Sequence, residues 1–159
     1  MPSYAFATIW RLDAPIERVF DLIHDAERWP TWWPSVPGAD PLPPDASGRS
    51  RYRFTFRGRL PYFLRFDMVI TLVQRPTALE GAASGELEGI GRWSLRPDGD
   101  GTVVRYDWTI RTTRRWMNLL APLPFVDPIF RLNHHSVMRD GLAGAKRVLG
   151  VRGSYQRLD

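Results

Sequence analysis

Asn133 and Asp140 stand seven residues, about two helical turns, apart in a stretch that reads as the last helix of the chain. From one edge of a buried helix face their side chains could orient the carbonyl or hydroxyl of a bound molecule. The alternative is a hydrogen bond to neighbouring backbone or to the indole of Trp93 or Trp108. His134 flanks the same face, but a general base there needs a neighbour to set its tautomer, and no spacing in the chain supplies one. His134 and His135 project about 100° apart from a regular helix, so they cannot chelate one ion. With only His24 besides them and no cysteine, no metal site is expected. Ser136 lies mid-helix, without the strand–turn–helix elbow of a nucleophilic serine. Gly89-Ile90-Gly91 lacks the third glycine and the following helix of a nucleotide loop, and reads as a bend in a strand. Glu86 and Glu88 alternate on a strand beside arginines, an ion ladder rather than an acid/base couple. Tyr52 and Tyr106 remain as proton donors; no catalytic residue is assigned and no cofactor is expected.

The elements that hold these residues must come from 159 residues, a length for one domain, residues 1–159. Hydrophobic residues at 43% and charged residues at 25% exclude a disordered chain. No apolar run approaches the roughly 20 residues of a membrane span, and the start lacks a basic region followed by an apolar stretch. The absence of cysteine excludes disulfides and thiol catalysis and makes a cytoplasmic location the expectation. The net charge is +5, with Lys146 the only lysine among 22 basic residues. Those arginines are scattered from Arg11 to Arg157 rather than clustered on one element, so nucleic acid is not an expected partner.

Ser3 to Leu12 alternates, with Tyr4, Phe6, Thr8 and Trp10 on one side: a first strand. Asp13-Ala14-Pro15 starts a helix whose Ile16, Val19, Phe20 and Ile23 share a face. A short helix through Trp29, Trp32 and Trp33 follows, then a Pro- and Gly-rich loop from Ser35 to Gly48. From Arg49 the period is two. Tyr52, Phe54 and Phe56 are followed on the same side by Phe66, Met68 and Ile70, then Trp93, then Tyr106, Trp108 and Ile110, with charged residues opposite. A final helix from Asp127-Pro128 to Gly150 spans about 22 residues, or about 33 Å. It carries Phe130, Asn133, His134, Val137, Gly141, Gly144 and Val148 on one face, with His135, Arg139 and Lys146 opposite, in water. Residues 150–159 read as a flexible tail.

Three stretches resemble the START-like helix-grip superfamily (the SRPBCC or Bet v 1-like proteins), and within it the polyketide cyclase/dehydrase-like group. They are Ala14-Pro15-Ile16-Glu17-Arg18-Val19-Phe20-Asp21, the Trp-Pro pair with Trp32-Trp33-Pro34, and Asn133 to Gly141. Gly85 to Trp93 is similar to this group as well. The resemblance implies an α+β fold: a curved antiparallel sheet of six to seven strands wrapped around a long C-terminal helix, with two short helices after the first strand. It also implies a cavity between sheet and helix for an apolar ligand. It does not choose among carriers, receptors and cyclases.

Gly141 and Gly144, on the helix face that should bury most, either let the helix approach its neighbours closely or leave room for a ligand. The expected binding residues are Trp33, Tyr52, Phe54, Phe66, Met68, Trp93, Tyr106, Trp108, Asn133, Val137 and Gly141. The expected function is non-catalytic binding or carriage of a small hydrophobic molecule, lipid-like, aromatic or polyketide-like. The alternatives are a polyketide cyclase/dehydratase-type enzyme and a peripheral lipid-transfer module. The last draws on Leu60-Pro61-Tyr62-Phe63-Leu64 and Trp116 to Phe125, apolar stretches rimmed by arginine that suit a membrane interface, a ligand gate or a cap on the core.

Overall fold

Alternation and amphipathicity place most of the elements. In a computed structural model that describes residues 3–159, β1 (Ser3–Leu12) buries Tyr4, Phe6, Thr8, Trp10 and Leu12 on one face. α1 (Ile16–His24) begins after Pro15 and buries Val19, Phe20 and Ile23. A single 3-10 turn, Ala26–Arg28, leads into α2 (Trp29–Trp32). Strands β2 (Gly38–Leu42), β3 (Arg51–Phe56), β4 (Leu64–Gln74), β5 (Ala78–Gly85), β6 (Leu87–Asp98) and β7 (Gly101–Thr112) follow. α3 (Arg115–Leu120), α4 (Val126–Leu149) and β8 (Gly153–Arg157) complete the chain.

The sheet is antiparallel throughout, in the order β2-β3-β4-β5-β6-β7-β1-β8. First and last long strands close on each other, with Phe6 opposite Trp108 and Trp10 opposite Val104. A register shift between Ile70 and Leu72 bends β4, as a bulge does. The charged face carries the ion pairs Arg53–Asp67, Arg92–Glu80, Arg105–Asp107 and Arg111–Glu88, each at 3.1 Å or closer, while Glu86 pairs with Arg114. α4 lies along the concave face and ends at Gly150, whose left-handed φ of 67° closes the helix.

The sheet has eight strands where six to seven were expected, and both additions correct the sequence reading. β2 arises inside the Pro-rich segment read as a loop: Pro41 pairs with Tyr52 at the sheet edge, where a missing N–H is tolerated. Residues 150–159, read as a flexible tail, instead contain β8, which pairs with β1 and sets Tyr155 opposite Trp10. This strand changes the outer side of α4. His135, expected in water, is 3% exposed because Tyr155 and Asp159 fold over it. Val148, expected inward, is exposed.

Candidate functional site

The three tryptophans around α2 close one end of the space between sheet and helix. Trp33 donates its indole N–H to the Val137 carbonyl at 2.9 Å, and Trp29 donates to Ile23 at 3.0 Å. Trp29 also stacks on Phe54, with ring centres 5.1 Å apart. The α4 glycines serve this packing. A Cβ on Gly141 would stand 2.6 Å from the Trp33 ring, and one on Gly144 would collide with the Trp32 carbonyl. Of the two explanations for these glycines, close approach holds.

What remains open is a cavity of about 130 Å³. Phe54, Phe56, Phe66, Met68, Trp93 and Trp108 form its sheet side, and Val137 and Met138 its helix side. Trp93 and Tyr106 stack with centres 4.2 Å apart. The Tyr106 hydroxyl reaches across Gly91, where a Cβ would come within 2.7 Å of it. Burial pushes that phenol well above its ordinary range, so it stays protonated.

His134 is the second polar group on the wall. Its ring stacks on Phe6 at 4.2 Å, and its Nε2 is sealed from solvent with no hydrogen-bond partner. Desolvation, reinforced by the neighbouring His135, lowers its pKa to about 3. It is therefore a neutral imidazole at physiological pH. Glu80 borders the cavity, but its carboxylate lies on the charged face of the sheet, engaged by Arg92 at 3.1 Å and Thr71 at 3.3 Å. The site thus offers aromatic surface and neutral hydrogen-bonding groups, which can hold an apolar molecule and orient one polar atom of it.

The segment between β3 and β4 and the helix α3 cover the other end. Asn133 Oδ1 accepts the Leu60 backbone N–H at 3.1 Å, and a Cβ on Gly58 would overlap the same amide. Tyr62 meets Trp116 edge-on at 5.4 Å, and Arg114 donates to the Phe63 carbonyl and to Glu86, both at 2.7 Å. Burial pushes the Tyr62 phenol up to about 12.

Of the expected binding residues, Trp33, Phe54, Phe66, Met68, Trp93, Tyr106, Trp108, Asn133 and Val137 border the cavity. Tyr52 and Gly141 do not. Tyr52 stacks beside Phe54 at 5.8 Å outside the wall, and Gly141 is covered by Trp33. Asp140 does not join Asn133; it accepts a hydrogen bond from Ser35 at 2.9 Å. Phe6, Tyr62, Met117 and Phe130 also border the cavity, though none was among the expected binding residues. The β1 alternation already put Phe6 on the inner face, Phe130 shared the Asn133 face of the helix, and Tyr62 and Met117 lie in the two apolar stretches read as a membrane interface, a ligand gate or a cap on the core. Among the described residues no group of three His, Cys, Asp or Glu could hold a metal ion, and no helix is long and apolar enough to cross a membrane.

A family model described as polyketide cyclase / dehydrase and lipid transport matches residues 8–150. No curated protein matches the sequence. Solved structures do match. The di-domain ARO/CYC protein BexL of the BE-7585A biosynthetic pathway has a TM-score of 0.72 at 19% identity, over 91% of this chain and 49% of that one. The chain therefore spans about half of that protein. A protein from Thermus thermophilus, TTHA0849, has a TM-score of 0.70 at 20% identity, over 92% and 99% of the two chains. A START superfamily protein from Mycobacterium smegmatis has a TM-score of 0.72 at 17% identity, over 91% and 98%. Likeness at these identities is likeness of fold.

Proposed function

The chain belongs to the polyketide cyclase/dehydrase and lipid transport family, and from that premise we propose that it binds a small hydrophobic molecule between sheet and C-terminal helix, as a binder or carrier without catalysis. The observation that carries this reading is the aromatic cavity with His134 Nε2 left unpartnered on its wall. A buried imidazole nitrogen without a partner is costly, and a ligand hydroxyl or carbonyl would satisfy it.

Size narrows the ligand. At about 130 Å³ the cavity is close to the roughly 150 Å³ engineered void that admits benzene, so a single ring fits as it stands. Left empty, such a void costs about 3 kcal/mol at ~24 cal/mol per Å³, which a domain can bear. A lipid or a folded polyketide chain needs more space than this cavity holds. The cyclase alternative would have the Tyr106 hydroxyl or the Asn133 amide polarise a ligand carbonyl, and conversion of a candidate substrate that is lost in Tyr106→Phe or Asn133→Ala would favour it.

Native mass spectrometry of freshly purified protein, against the same sample denatured, tests the reading. A discrete mass lost on denaturation is the expected result. Val137→Trp, which fills the space, should abolish that mass while near-ultraviolet circular dichroism stays native. Retention of the mass by a folded Val137→Trp protein would place the ligand elsewhere.

A second reading, contact with a membrane surface, is favoured by one feature. Leu119, Leu132 and Phe125 are 80%, 62% and 57% exposed, with Trp116 and Phe63 also exposed nearby in an arginine-rich setting. An apolar band bordered by cations suits the interface of an anionic bilayer.

A further inference from the structure

On the outer side of α4 lies a groove of about 470 Å³ between the Arg59–Leu60 segment and β8, apart from the inner cavity except that Asn133 borders both. Its charge is one-sided. Arg59, Arg139 and Arg157 border it, and among the described residues none of the three stands in an ion pair. Arg139 lies over the Tyr155 ring at 4.5 Å, and Arg157 donates Nε to the Asp159 main-chain oxygen at 2.6 Å. The nearby Asp159 carboxylate is already committed, to Arg131 at 2.6 Å and to His135 at 2.9 Å.

Two further features point to an occupant. Ser136 is 9% exposed and borders the groove, and its Oγ is sealed with no hydrogen-bond partner. A buried hydroxyl left without a partner is uncommon, and this one belongs to a residue that borders the same groove as the three arginines, where it could donate to an anionic oxygen. Asn133 and His135 also border it, and the remaining wall is apolar: Leu60, Ile129 and Leu132, the last two exposed.

We infer that this groove binds an amphiphile bearing a phosphate or carboxylate head, the head among Arg59, Arg139, Arg157 and Ser136 and the start of its chain against Leu60, Ile129 and Leu132. The guanidiniums supply charge and paired donors for the anion, Ser136 adds a neutral donor, and the apolar side chains shield the first carbons from water.

Calorimetric titration with octyl phosphate at monomeric concentration, against octanol, tests this. Octyl phosphate should bind at least about tenfold more tightly than octanol. Arg139→Gln and Arg59→Gln should each weaken octyl phosphate about fivefold or more and leave octanol unchanged, while Ser136→Ala should cost about threefold. Val137→Trp fills the inner cavity only, so octyl phosphate binding that survives it belongs to the groove. Loss of octyl phosphate binding in that variant would overturn the site. A parallel arm uses phosphatidylcholine vesicles with and without phosphatidic acid. Capture that needs phosphatidic acid and the arginines, without binding of monomeric octyl phosphate, identifies a bilayer headgroup as the source of the anion. If octyl phosphate binds no better than octanol and capture ignores both phosphatidic acid and the arginine substitutions, the inference fails.

Discussion

Asn133 holds Leu60: the side-chain carbonyl on α4 accepts the backbone N–H of the β3–β4 segment at 3.1 Å. That hydrogen bond joins the helix to the apolar segment covering one end of the cavity, and Gly58 leaves room for it.

Asn133→Ala removes the acceptor and leaves the Leu60 N–H to water. Global stability should fall by about 1 kcal/mol. Amide exchange of residues 58–63 should quicken far more than that of β6 or β7, and ligand release should accelerate. Unchanged exchange in the segment would mean that Arg114 and the Tyr62–Trp116 contact hold it without Asn133.

Gly141→Ala and Gly144→Ala should both destabilise the protein, although alanine is the better helix former by about 1 kcal/mol. The added methyl meets the Trp33 ring in one case and the Trp32 backbone carbonyl in the other. Overpacking of this kind costs about 1–3 kcal/mol, and Gly144→Ala should stand at the upper end because backbone cannot turn aside as a side chain can. Urea unfolding measures both. A stabilised Gly141→Ala protein would show that Trp33 has slack.

Stability should fall with acid before the carboxylates titrate. His134 is held neutral in the fold, with its pKa lowered to about 3, while in the unfolded chain it protonates near 6.5. Below about pH 6.5 the unfolded state binds the extra proton, so stability rises with pH and is lost on acidification by up to about 1.4 kcal/mol per unit for this group. Burial lowers His135 as well and adds in the same direction. His134→Phe, which keeps the stack on Phe6, should flatten the dependence between pH 6.5 and 4.5 in chemical denaturation. An unchanged slope would assign the acid sensitivity to His135.

Leu119→Asp with Phe125→Asp tests the membrane reading. Both side chains are exposed, so thermal stability should change by less than about 0.5 kcal/mol. Co-sedimentation with phosphatidylglycerol-containing vesicles should drop severalfold. Equal sedimentation of the variant and the parent would remove this surface from consideration.

Local periodicity decided much of this protein. Alternation with period two along Tyr52–Phe56, Phe66–Ile70 and Tyr106–Ile110 can bury only one set of side chains, so an aromatic inner face was legible before any contact was known. The helical stripe through Asn133, Val137 and Gly141 was equally legible. Tertiary structure alone decided what those residues meet. β2 and β8 are short, polar or proline-bearing segments with no pattern of their own, and become strands because β3 and β1 offer free edges. β8 then buries His135, which its helical position alone put in water. Gly141 could equally have meant space or contact until Trp33, far earlier in the chain, was found against it. Asn133 and Asp140 share a helix edge, yet Leu60 takes one and Ser35 the other. Period and propensity act between neighbours in sequence, whereas a partner from a distant segment is chosen by the assembled sheet and the helix packed on it.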